Sequence, residues 1–168
     1  IARALRIHGE ERFADRIAGR IVTARETEPF TSSARLVAVI ADAIPAAARH
    51  TGGHPAKRSF QALRIVVNGE LDSLAGVLPA ALDALARGGR LAVLAYHSGE
   101  DRMVKRALAG ASRDNVPVGV PAVPAGYEAQ YSLLTRGAER PDAAEVQANP
   151  RAASARLRAI ARNQEETR

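Results

Sequence analysis

The sequence predicts a mixed α/β chain in which a wholly helical first part, residues 1–54, precedes a part built on a sheet, residues 55–168. Three observations predict it. Apolar residues recur every three or four positions around Phe13–Ile21, Leu36–Ile44 and Phe60–Leu85, the spacing of a buried helix face. One continuous apolar run, Leu91 to Tyr96, follows the pair Gly88-Gly89 and has the length of a strand. Residues 154–160 then alternate in character, as a half-buried strand does.

Taken in order, Phe13, Ile17 and Ile21, with Ala14 and Ala18 beside them, give one apolar face to a helix over 10–25. Across from it Arg12, Arg16 and Arg20 repeat at i+4. That stripe fits a solvated face with Glu10, Glu11 and Asp15 as partial counterions, and it equally fits a surface for phosphates. Pro29 to Ser33 is rich in N-cap residues. Leu36, Val37, Ile40 and Ile44 follow at helical spacing, and Pro45 marks the stop. A loop runs from His50 to Pro55. From Phe60 the apolar positions are Leu63, Val67, Leu71, Leu74, Leu78, Leu82 and Leu85, with Gly76 and Pro79 arguing for a break. The expectation is two helices, 56–75 and 78–87, ended by Gly88-Gly89.

Arg90–Tyr96 reads as a fully buried strand of a parallel sheet, the second half of a βαβ crossover. A helix over 99–110 follows, with Met103, Val104 and Leu108 inward. Residues 113–126 hold three prolines and read as an irregular loop. Tyr131–Thr135 is a strand candidate, and 154–160 pairs with it as an antiparallel edge. The tail 163–168 is polar and expected to fray.

Composition narrows the function. The 168 residues are 46% hydrophobic and 25% charged, which is globular rather than disordered. No apolar run approaches the ~20 residues of a membrane-spanning helix. There is no cysteine, hence no disulfide and no thiolate metal site, and a cytoplasmic, reducing compartment is the expectation. The net charge is +6, and all but Lys57 and Lys105 of the 24 basic residues are arginine. Arginine pairs phosphate bidentately and stacks on bases, which suits a nucleic-acid partner. A GC-rich coding bias also raises the arginine share, but it does not account for the excess of positive charge.

No nucleotide-binding loop is expected here. Such a loop leaves a strand and enters a helix, whereas Thr51-Gly52-Gly53-His54 follows a helix and Gly88-Gly89 enters a strand. No HExxH run is present, and no metal site is expected. The block His97-Ser98-Gly99-Glu100-Asp101-Arg102 is more informative, since it lies at the carboxyl end of the run 91–96, where open parallel sheets build their sites. The same residues also read as helix capping, with Ser98 as N-cap and Glu100 and Asp101 favoured by the helix dipole.

Four stretches, GEERFADRIAGRIV (9–22), GGHPAKRSFQALRIVVNGEL (52–71), GGRLAVLAYHSGEDRMVKR (88–106) and NPRAASARLRAIAR (149–162), together resemble the RsmH/MraW family. These are S-adenosylmethionine-dependent methyltransferases acting on N4 of a cytosine in small-subunit ribosomal RNA. Order and spacing match over nearly the whole chain. The departures are Ser59 for Thr, Ala95-Tyr96 for Ser-Phe, Gly99 for Leu, which removes an apolar anchor beside the site, and Ala153 for Arg.

The resemblance implies an α/β fold: the carboxyl-terminal part of a Rossmann-like class I methyltransferase sheet, preceded by part of an all-helical inserted domain. It implies that the chain is the carboxyl-terminal half of a longer enzyme, without the glycine-rich loop that binds S-adenosylmethionine, and inactive alone. It places His97, Ser98, Glu100 and Asp101 at the catalytic crevice. It puts Lys57, Arg58, Gln61, Arg64 and Asn68 along a cleft for RNA, with Arg102 and Lys105 as further phosphate contacts. Phe60 belongs by its spacing to the core rather than to base stacking. The implied partner is small-subunit ribosomal RNA or the small ribosomal subunit. A strand at 91–96 with an uncovered edge predicts self-association. A non-catalytic, basic RNA-binding or ribosome-associated module is the alternative reading.

Overall fold

The computed structural model describes residues 1–49, 53–116, 124 and 126–164. Residues 50–52, which include the first half of the TGGH stretch, and 117–123 and 125, most of the proline-rich loop, lie outside the described residues, as does 165–168 of the tail. The chain divides by packing into two compact units, 1–70 and 71–168.

The first unit is helical: α1 (Ala2–Gly9), α2 (Ala14–Thr27), α3 (Ser33–Ala43), the single turn α4 (Ala46–Arg49) and α5 (Lys57–Asn68). Leu5, Ile17, Ile40, Ala43 and Ala62 are its fully buried centre, with Phe60 packed against them as its spacing predicts. Ser32 caps α3 through its hydroxyl, which accepts from the Arg35 amide, and α3 stops before Pro45.

The unit opens with a helix, α1, that the apolar spacing does not announce, and two expectations are corrected in it. The helix expected over 10–25 begins only at Ala14, because Glu10 adopts a left-handed conformation (φ 48°) and the Glu11 amide turns back to the Leu5 carbonyl at 3.1 Å. Arg12 therefore lies in that turn and leaves the stripe, with Arg16 and Arg20 alone on α2. Finally, the buried face of α5 is Ser59, Ala62 and Ile65, and Val67, expected inside, is 82% exposed. Small residues face α1 because the two helices meet closely. A Cβ on Gly9 would lie 2.6 Å from the Arg58 carbonyl oxygen.

Helix α6 (Glu70–Ala84) contains Gly76 and Pro79 without stopping at either. The break falls at Gly69 instead, whose left-handed backbone (φ 59°) closes α5 with its amide on the Ile65 carbonyl. An αL glycine after Asn ends a helix more decisively than a proline that forfeits one amide.

The second unit holds a three-stranded sheet of β1 (Arg90–Ala95), β2 (Tyr131–Leu133) and β3 (Arg156–Arg162), in the order β1-β3-β2. Helix α7 (Ser98–Ala111) follows β1, and α8 (Ala143–Ala148) and a 3-10 turn (Pro150–Ser154) precede β3. The predicted pairing of β2 with β3 is present and antiparallel, but β3 is the central strand rather than an edge. The predicted parallel, fully buried β1 is also corrected. Among the described residues β1 pairs only with β3, antiparallel, in the register Val93 opposite Arg158.

Burial along β1 alternates: Ala95 is buried, Leu91 and Val93 are half-buried, and Arg90, Ala92 and Leu94 are exposed. That is the signature of a sheet with helices on one face. The covered face packs on Leu78, Leu82, Val104 and Leu108 around Ile160. The Tyr131 hydroxyl donates to the Leu82 carbonyl at 3.0 Å, and Arg162 Nη1 to the Leu85 carbonyl at 2.6 Å, tying sheet to helix. The observed class is thus mixed α/β, mostly helical, with a small antiparallel sheet.

Candidate functional site

The junction of β1 and α7 brings the polar block together. Ala95 anchors the strand end, Tyr96 turns outward, and His97 takes an extended conformation as the N-cap of α7, in the place expected for Ser98. Its Nδ1 accepts from the amides of Gly99 (3.2 Å) and Glu100 (3.3 Å). In return Glu100 Oε2 accepts from the amides of Tyr96 (2.8 Å) and His97 (3.3 Å). This is a capping box with imidazole in the usual hydroxyl's role. Four amides that would otherwise point outward are satisfied within the junction itself.

The box settles what the imidazole can do. With Nδ1 used as acceptor, the neutral ring carries its proton on Nε2. Nε2 is buried without a hydrogen-bond partner, 3.4 Å from Glu100 Oε1. Glycine at 99 fits this packing, since a Cβ there would sit 3.1 Å from the imidazole. Ser98, at the first helical position, is exposed.

Asp101 is committed to an ion pair. Arg158 of β3 donates to it from Nε (2.7 Å) and Nη2 (3.2 Å), with both side chains largely buried. The Arg158 hydrogen bond holds the Asp101 carboxyl below its ordinary value near 3.8, against the opposing effect of burial, with Arg156 and Lys105 assisting. Arg158 was not singled out by sequence. Its signal was a basic residue within an alternating strand, which without the register pointed nowhere.

The predicted RNA-binding residues fall into two groups, one in each unit. On α5, Lys57 is exposed and carries no ion pair among the described residues. Its neighbours are engaged: Arg58 donates to the Glu10 carbonyl and Gln61 to the His8 carbonyl, each at 3.4 Å. Arg64 pairs with Glu70 (2.8 and 3.1 Å), and Asn68 Nδ2 donates to the same carboxylate at 3.1 Å. Arg16 and Arg20 are exposed on α2, Arg20 beside a depression it shares with Asp42 and Arg49, and Arg12 lies over the Phe13 ring. In the second unit Arg102 and Lys105 are exposed on α7.

The second unit also holds a pocket of about 540 Å³ that sequence reasoning missed. Its walls include Leu94 and Tyr96 from the β1 end, Leu157, and Arg140, Asn149 and Arg151 from the segment before β3. Among the described residues no His, Asp and Glu side chains gather as a metal site. No single helix there is long and apolar enough to cross a membrane.

The family model described as "MraW methylase family" matches residues 1–163. A curated relative from Frankia alni, "Ribosomal RNA small subunit methyltransferase H", is 64% identical over 162 residues, covering 96% of this chain and 50% of that protein. A relative of the same name from Mycobacterium leprae is 60% identical over 164 residues, covering 98% of this chain and 44% of its own length. The chain thus spans about half the length of the curated relatives it matches.

Proposed function

This chain belongs to the MraW methylase family, and from that premise we propose that the protein is an S-adenosylmethionine-dependent methyltransferase of small-subunit ribosomal RNA, acting on N4 of a cytosine. The observation that carries this reading is the continuity of the match, through residues 1–163, with relatives at about 60% identity.

The described residues do not by themselves fit S-adenosylmethionine. The strand-to-helix junction at Tyr96-His97-Ser98 has its amides occupied by the capping box, so no free helix N-terminus faces an anion there. The donor, when bound, supplies the methyl group. This chain's share is the acceptor side. The exocyclic amine of cytosine is a poor nucleophile, so orientation of an unstacked base matters more than a strong base.

Within that reading residues 1–54 are part of the inserted domain and residues 55–168 the end of the catalytic domain. His97, Ser98, Glu100 and Asp101 border the crevice. His97 and Glu100 act by holding the α7 N-terminus, and Asp101 by tying α7 to β3. Lys57, Arg16, Arg20, Arg102 and Lys105 are phosphate contacts, whereas Arg58, Gln61, Arg64 and Asn68 brace α5.

The test uses the protein expressed from its complete reading frame, with unmodified small ribosomal subunits and labelled S-adenosylmethionine. N4-methylcytidine in the recovered RNA is expected. RNA binding without transfer would overturn the enzymatic reading in favour of a non-catalytic RNA-binding module. Calorimetric titration of residues 1–168 with S-adenosylmethionine should show no binding, and the complete protein should bind. His97→Ser, which keeps a capping acceptor, should retain activity within about fivefold. A hundredfold loss in a stably folded His97→Ser protein would make the imidazole catalytic.

A further inference from the structure

The pocket behind Tyr96 has no part in the reading above. It is bounded on one side by the outward face of the sheet, where Leu94 and Leu157 lie opposite each other in register, and on the other by α8 and the 3-10 turn. Its volume of about 540 Å³ falls within the range of small-molecule sites.

Three features give it a chemistry. Tyr96 is 56% exposed at the rim, yet its backbone is pinned by the hydrogen bond from its amide to Glu100, so the aromatic group is presented from a fixed point. Arg140 and Arg151 are exposed, and neither guanidinium has an ion pair among the described residues. Arg151 sits at the start of the 3-10 turn, where Asn149 accepts its amide at 3.2 Å, so its backbone is also fixed. Glu139 and Glu145 line the same pocket and supply carboxylate acceptors beside the apolar floor.

An aromatic ring and aliphatic side chains in one lining, two guanidinium groups without an ion pair among the described residues, and nearby acceptors match a nucleotide part by part: a base to stack, phosphates to pair and amino groups to receive. We propose that this pocket seats one nucleotide of the RNA, its base stacked on Tyr96 and its flanking phosphates held by Arg140 and Arg151. The proposal rests on the RNA-substrate reading. It concerns a nucleotide-binding subsite, beside the junction of β1 and α7.

The test measures binding by the protein from its complete reading frame to a fluorescent single-stranded oligoribonucleotide of small-subunit ribosomal sequence, by anisotropy across a salt series. Tyr96→Leu should weaken binding about tenfold through loss of stacking, and Tyr96→Phe should bind within about twofold of the parent. The double variant R140A/R151A should lower the slope of log affinity against log salt by about 1.4, the value for two phosphates on a single strand. Parent-like affinity and slope in Tyr96→Leu and in the double variant would overturn the proposal while leaving the methyltransferase reading intact. A parent protein that methylates no ribosomal RNA would instead sink that reading. Cross-linking of the unmutated protein to 4-thiouridine RNA gives a check that needs no variant. Adducts within 94–96 or 139–157 are expected, and adducts only elsewhere would overturn the proposal.

Discussion

Asp101 and Arg158 show how far one pair of side chains decides the geometry of the junction. The carboxylate is depressed by the guanidinium it accepts from, so the pair stabilises the fold fully above the ordinary carboxylate value near 3.8. That contribution is lost as pH falls through the lower folded-state value. Asp101→Asn keeps the shape but removes the charge, and should cost about 1.5–3 kcal/mol at neutral pH, the scale of a hydrogen bond to a charged group. Urea unfolding at several pH values checks this. The gap between parent and variant should be constant from pH 5 to 8 and shrink below pH 4. A gap that does not change under acid would mean the pair contributes nothing through its charge.

At the level of helices and strands, side-chain size and backbone handedness override propensity. Gly9 is the clearest case: α1 and α5 approach so closely that a Cβ would collide with the Arg58 carbonyl, a backbone atom with little room to retreat. Gly9→Ala should therefore destabilise the first unit by roughly 1–3 kcal/mol, the usual cost of overpacking, despite alanine's better helix propensity. Thermal melting of the variant reads this directly, and an unchanged or raised midpoint would show that the helices can part without cost. The same closeness explains what the sequence could and could not convey. The apolar spacing at Ile17, Ile21 and Ile40 located the core of the first unit, because large residues carry the periodic signal. The α1–α5 contact is built from Gly9, Ser59 and Ala62, which leave almost no trace in a hydrophobic pattern. The position of α7 was legible from its polar opening block. Its cap was not, since histidine rarely serves as one and only the structure shows which ring nitrogen turns to the backbone.

On the scale of the molecule, the outward face of β1 is the feature with the widest consequence. Among the described residues this strand has a single neighbour, β3, and presents Ala92 and Leu94 to solvent while its other edge is unpaired. A strand edge with free amides and carbonyls beside apolar side chains is a template for another strand. The expected self-association at this edge did not come from the apolar pattern, because a continuous apolar run of six residues reads the same whether one face or both are covered. The charge of +6 opposes association only through long-range repulsion, which salt screens within about 8 Å at physiological strength. Residues 1–168 should therefore self-associate, and more strongly as salt is raised, the opposite of the salt dependence expected for RNA binding. Ala92→Lys places a charge on the exposed face of the strand, outside the pocket behind Tyr96, and should restore a monomeric boundary in sedimentation velocity at micromolar concentrations. If the unmutated 168 residues already sediment as a sharp monomer at high salt, the edge is not adhesive. The exposed face of β1 would then have to be accounted for by something other than strand pairing.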